Sequence, residues 1–282
     1  MWLYAVAAGG ADVAFAVGET LAADGTLAAD GANAAFAVGA VGVGGGPVRT
    51  ISAGGLTALV GDVDEREFGA AALRRNLEDL DWLDRTARAH HAVIEAAAER
   101  GPVVPMRLAT VYSGDEKVAG MLRQRAGDLH SALARLTARS EWGVKAFAAE
   151  PDAAEPQEQA NPASRPAGPG SGAAYLQRRR AQLMARRSGH RQAMISTQRI
   201  HAELERISVS ARLYPPHSPD LAGRQARMMM LNAAYLVADE RADEFAAAVA
   251  GLTLAHPSVR LALTGPWPAY SFAGQPEAAE QP

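Results

Sequence analysis

Between Glu141 and Gly265 the hydrophobic period switches repeatedly, and the order of the switches restricts the fold more than any single motif. "EWGVKAFA" has the apolar content of a short strand, and a helix-forming stretch follows from about Tyr175 to Arg206. "ISVSARLY" alternates, placing Ile207, Val209, Ala211 and Leu213 on one face. "MMMLNAAYLVA" reads as a buried strand. Asp239, Glu240, Asp243 and Glu244 then crowd a helix start, where the macrodipole favours acids, and Phe245, Ala248, Val249 and Leu252 supply that helix's apolar face. "SVRLALTG" closes the series as a strand. The result is β-α-β-β-α-β, the split βαβ of a ferredoxin-like sandwich.

Residues 148–173 interrupt this order between the first strand and the first helix. "AEPDAAEPQEQANPASRPAGPGSGAA" carries almost no large apolar side chain and cannot offset its own ordering entropy, so a disordered insertion is expected there. Its composition invites a domain boundary, but the element order places it inside the second domain.

The first part of the chain is less regular. "MWLYAVA" reads as a strand. Residues 9–47 echo themselves, with "AFAVG" at 14–18 and 35–39 and "LAADG" at 21–25 and 27–31, and read as a low-complexity insertion. Its end, "VGAVGVGGGP", satisfies neither G-x-G-x-x-G nor a Gly-Lys-Ser/Thr loop, so it reads as a flexible connector, not a phosphate site. "VRTISAGGLTALVGDV" is strand material broken at Gly54-Gly55. Leu77, Leu80, Leu83, Ala87, His91, Ile94 and Ala98 then fall on one helical face, ended by Gly101-Pro102. "VVPMRLATVY" is a strand with Pro105 inside it, which argues for an edge position or a bulge. Ser113 and Glu116 have capping-box spacing, and Val118, Met121, Leu122, Leu129, Leu133 and Leu136 continue one helix.

The expected class is therefore α+β with two domains. Residues 1–140 form an irregular, ferredoxin-related unit carrying the insertion 9–47. Residues 141–272 form the ferredoxin-like unit carrying the insertion 148–173, and 273–282 is a flexible tail.

Composition narrows the chemistry. The 282 residues include no cysteine, which excludes disulfides and thiolate metal sites and fits a reducing cytoplasm. The net charge of −3 creates no global field for nucleic acid or membrane. The opening "MWLYAVAAGGAD" lacks a basic n-region, and no apolar run approaches the roughly 20 residues that span a bilayer, so a soluble intracellular protein is expected.

Candidate groups are few. His91 and Glu95 at i,i+4 could share a metal, but no third ligand is evident, and a histidine hydrogen-bonded to backbone or carboxylate accounts for the pattern. Arg107, in a strand beside Pro105, either anchors a buried carboxylate or meets a partner. Arg178, Arg179, Arg180, Arg186, Arg187, Arg191 and Arg199 precede the next acid, Glu203; they form a solvated face, pair with acids of the 148–173 insertion folded back onto them, or bind an acidic protein. RNA binding would need an aromatic strand of the RNP1 kind, and none is present. There is no G-x-S-x-G, no H-E-x-x-H and no convincing carboxylate pair.

The chain ends its last strand with "LTGPWPAYSF". Pro266 and Pro268 restrict φ and push Gly265 and Trp267 toward extended backbone, which preorganises three aromatics. The expected division sets Trp267 over the end of the second domain's core, with Tyr270 and Phe272 as an exposed apolar surface.

Three stretches, "YAV" at the start, "HHAVIEAAAERGPVVPMRLATVY" and "LTGPWPAYSF", together resemble the F/L family of gas vesicle accessory proteins. The last is close to the family's G-P-W-P-P-Y-S-F ending. The chain departs from the family with Leu108-Ala109 where Phe-Gly is common and with Ala269 where a proline is usual. The resemblance implies two α+β domains with ferredoxin-like features, no enzymatic activity and no cofactor. It also implies a minor component of gas vesicles, in the cytoplasm, that engages the hydrophobic shell subunit and other accessory proteins and limits shell-subunit aggregation during nucleation. Partner contacts are then expected at Tyr270, Phe272, Trp267 and Arg107. The competing expectation is a ferredoxin-like enzyme or a haem-binding oxygenase using His90 or His91.

Overall fold

The computed structural model describes residues 1–9, 41–149, 171–216 and 228–274. It divides into two units, Met1–Glu141 with the chain from Pro266 onward, and Trp142–Gly265. The class is α+β, with two four-stranded sheets among the described residues. The last segment was expected to belong to the second domain; it groups instead with the first, because its polar atoms find their partners there.

The first unit contains β1 (Trp2–Ala8), β2 (Val48–Ala53), β3 (Leu56–Gly61), α1 (Glu65–Phe68), α2 (Ala70–Asn76), α3 (Leu80–Ala98), β4 (Val103–Pro105), α4 (Asp115–Gln124) and α5 (Ala126–Leu136). Its strand order is β2-β3-β1-β4, and every pair is antiparallel. β1 is covered on both faces, so its sequence is apolar throughout and does not alternate. Its register against β3 shifts between Leu3 and Ala5, a bulge at Tyr4 that turns Trp2, Tyr4, Ala5 and Ala7 into one core cluster. The expected break at Gly54-Gly55 is a two-residue hairpin turn. Both glycines take positive φ, +62° and +72°, as the preferred two-residue hairpin turn requires. β4 lies at the sheet edge and ends at Pro105, the position a proline tolerates.

Three local expectations fail here. The buried face of α3 is Trp82, Thr86, His90, Val93, Ile94 and Ala97, whereas Leu77 and Leu80 are exposed. Thr86 and His90 look polar in sequence, yet they continue the inward stripe that begins at Trp82. The Ser113–Glu116 capping box does not form: α4 starts one residue later, behind Gly114, with no side-chain cap bond. The continuous helix is also interrupted, since Arg125 (φ −104°, ψ 15°) separates α4 from α5.

Most of the 9–47 insertion lies outside the described residues. Its described end is a turn built around Tyr4 instead of a loose connector. Val43 N–H donates to Tyr4 Oη at 2.8 Å, and Gly42 N–H donates to the Gly46 carbonyl at 2.9 Å. A Cβ on Gly42 would sit 2.6 Å from Tyr4 Oη, so close approach to the phenol explains this glycine.

The second unit is carried by β5 (Arg139–Ala148), α6 (Ser171–Ile207), β6 (Ser210–Leu213), β7 (Met229–Ala238), α7 (Ala242–Ala255) and β8 (Val259–Trp267), with strand order β6-β7-β5-β8. Trp142, Val144 and Ala146 of β5 pack with Tyr235, Ile200, Leu204, Phe245 and Val249 in one core. Residues 150–170 of the expected 148–173 insertion lie outside the described residues, while 171–173 already belong to α6. The clean alternation expected at 207–213 is not realised. Ile207 closes α6, and Val209 and Leu213 are exposed, because β6 is a short edge strand with no sheet neighbour beyond it among the described residues.

Candidate interaction site

α3 presents two adjacent histidines about 100° apart around its axis, and they meet different environments. His90 points into the core and is 3 % exposed. Trp2 Nε1–H donates to His90 Nδ1 at 2.9 Å, which places the His90 proton on Nε2, and that nitrogen donates to the Met106 carbonyl at 3.1 Å. The Tyr4 ring stacks on it at 5.6 Å. Burial pushes its pKa down to about 4, against an opposing contribution from the Met106 hydrogen bond. His90 is a neutral structural hub, and neither nitrogen retains a lone pair for a metal or haem iron.

His91 faces the C-terminal segment. Its Nδ1 lies 3.0 Å from Tyr270 Oη, and its ring meets Trp267 edge-on at 5.4 Å. Burial, reinforced by the charges of Glu95 and Glu141, raises the Tyr270 pKa, so the phenol keeps its proton and shares a neutral hydrogen bond with Nδ1. No group of three potential metal ligands occurs among the described residues.

Further contacts close this clasp. Gly265 takes φ +120°, a region reserved for glycine, and the chain then runs through Pro266 and Pro268 into a 3₁₀ turn at Tyr270–Phe272. Ser271 donates to Glu141 twice, from its amide at 2.7 Å and its hydroxyl at 2.6 Å. Arg135 Nη2 donates to the carbonyls of Phe272 and Gly274, each at 3.0 Å. Gly274 is therefore tied down, and the rest of the expected flexible tail lies outside the described residues.

These bonds invert the expected division of the aromatics. Phe272 is buried at 7 % exposure and Tyr270 is half-buried in the first unit's core, whereas Trp267 is 40 % exposed. The two rings expected to form a surface are the anchors. Trp267, expected over the second unit's core, lies beside His91 of the first unit. Arg107 lies beyond the end of β4 instead of within a strand; it is exposed and forms no ion pair among the described residues, so the buried-carboxylate alternative has no support. Arg135, Glu141 and Ser271 were not singled out in sequence. Ser271 sits inside the terminal motif, but nothing local marks Glu141 as its partner.

The model of the family described as gas vesicle synthesis protein GvpL/GvpF matches residues 1–274. The chain belongs to the GvpL/GvpF family. Gas vesicle protein L of Streptomyces sp. strain CB03234 is 42 % identical over 236 residues, covering 84 % of this chain and 86 % of that protein. Gas vesicle protein F of the same organism is 28 % identical, over 83 % of this chain and 91 % of its own length. The crystal structure of GvpF from Anabaena sp. PCC7120 superposes with a TM-score of 0.59 at 19 % identity, over 96 % of this chain and 94 % of that one. That likeness establishes a shared fold. No helix among the described residues is long and apolar enough to cross a membrane.

Proposed function

We propose that this GvpL/GvpF member is a non-enzymatic assembly protein and a minor component of cytoplasmic gas vesicles. It binds the hydrophobic shell subunit, limits its aggregation during vesicle nucleation, and works beside other accessory proteins. Family membership supports the gas vesicle role, and one structural observation supports the binding role. Trp267 is a large ring left 40 % exposed on a backbone stiffened by Pro266 and Pro268 and clamped by Arg135, Glu141 and His91. Such an anchor loses little conformational entropy on docking. Exposed Arg107 is a second contact in this reading, while Tyr270 and Phe272 act by holding Trp267 in place. The second unit's β-α-β-β-α-β order and β6-β7-β5-β8 sheet support reading it as ferredoxin-like, with open edges to which a partner strand can add.

The test is capture of purified shell subunit, together with light scattering of that subunit as it aggregates. The wild-type chain should suppress scattering at substoichiometric ratio, and Trp267→Ala should weaken both effects while staying folded, with a far smaller loss of stability than Phe272→Ala. Unchanged capture by Trp267→Ala moves the docking surface elsewhere. Failure of the wild type to slow aggregation ends the reading.

A further inference from the structure

α6 is far longer than the unit it belongs to requires. Its 37 residues extend about 55 Å, yet Ala193, Ser196, Thr197, Ile200 and Leu204 supply its buried contacts. From Tyr175 to Gln192 every residue whose side chain is described is exposed. This projecting half is not featureless. Leu176 and Leu183 stand seven residues apart, and so do Arg180 and Arg187; together with Arg191 and Met194 they fall on one face. Leu176, Leu183 and Met194 are 66 %, 48 % and 47 % exposed. Nothing among the described residues covers them.

We propose that this face docks an acidic amphipathic helix of a partner protein. The charge pattern selects the occupant. Between Ser171 and Ala202 the sequence holds seven arginines and no acid, so the helix lacks the i,i+4 carboxylate partners that solvent-exposed helices use, and Arg187 and Arg191 repel one another across one turn. A partner helix with an apolar seam and flanking glutamates answers both features: its seam covers Leu176 and Leu183 while its carboxylates meet Arg180, Arg187 and Arg191. A second copy of this helix would bring arginine to arginine. A nucleic acid would satisfy the arginines but leave the leucines in water. A bilayer surface would need the arginines outside the apolar stripe, and they stand within it. The face is on the second unit and does not depend on the role given to Trp267.

The experiment uses the full chain and a fluorescent synthetic heptad peptide with leucine at a and d and glutamate at e and g. Anisotropy should show saturable binding that weakens with salt. The variants R180E/R187E/R191E and L176A/L183A should each lose roughly tenfold or more in affinity, the size of one to two interface contacts. The charge-reversed variant should instead bind the matching peptide with lysine at e and g, a gain that an unfolded protein cannot produce. Unchanged binding by L176A/L183A would reduce the effect to unspecific charge and overturn the proposal. So would absence of peptide binding, or tighter binding of wild type to an RNA duplex or to phosphatidylserine vesicles than to the peptide.

Discussion

Tyr270 Oη and His91 Nδ1 lie 3.0 Å apart, although 179 residues separate them in the chain. This bond, with Ser271 on Glu141 and Arg135 on the Phe272 carbonyl, holds the C-terminal aromatics on the first unit. The aromatics therefore differ in what they do when truncated.

Phe272→Ala should destabilise the full chain by about 3–5 kcal/mol, as buried aromatic truncations do. Tyr270→Phe keeps the ring and removes one hydrogen bond, so about 1 kcal/mol is expected. Trp267→Ala, at 40 % exposure, should fall well below Phe272→Ala. Urea melts of the three variants give the order directly. A Trp267→Ala loss equal to that of Phe272→Ala would place Trp267 in the core.

His90 makes stability depend on pH in a defined window. Its pKa in the folded chain, about 4, lies below the ordinary histidine value near 6.5. The unfolded chain therefore binds a proton that the native chain refuses, and stability falls as pH drops from about 6.5 toward 4. The full difference is about 3 kcal/mol, at 1.36 kcal/mol per pKa unit. Urea unfolding at pH 7 and pH 5 should show a clear drop in wild type. His90→Phe should flatten that slope while losing stability at pH 7, since Trp2 Nε1–H and the Met106 carbonyl are left unpaired.

Ala109 takes φ +63°, a left-handed conformation that disfavours a Cβ. Ala109→Gly should stabilise the protein by about 0.5–1 kcal/mol, because the relieved strain of about 1–2 kcal/mol exceeds the added backbone entropy of the unfolded chain. Thermal melts check it; a lower melting temperature would show that the Ala109 methyl contributes more by packing than its conformation costs.

Gly42 and Tyr4 should be energetically coupled. A Cβ on Gly42 meets Tyr4 Oη at 2.6 Å, and the same oxygen accepts the Val43 amide. Gly42→Ala should destabilise wild type by about 1–3 kcal/mol, as overpacking does, and by clearly less in a Tyr4→Phe background, where that oxygen is gone. A double-mutant cycle measures the difference. Strict additivity would mean that the turn does not close on the phenol.

Local chemistry by itself determined the parts of this protein that nearest neighbours decide. The Gly54-Gly55 turn, the edge position of Pro105 and the β-α-β-β-α-β order beyond Trp142 were all legible, because turn conformation, proline's missing donor and hydrophobic period act within a few residues. Tertiary structure alone decided which of two adjacent histidines turned inward. The His90 partner Trp2 lies 88 residues away, and the residues facing His91 come from the other end of the chain. It decided equally which aromatic stayed in water. Trp267, Tyr270 and Phe272 are near neighbours in sequence, and their burial was set by Arg135, Glu141 and His91, whose bonds to the segment span 130 residues or more. Local pattern cannot encode such partners, because a side chain's burial depends on what the folded chain brings to it.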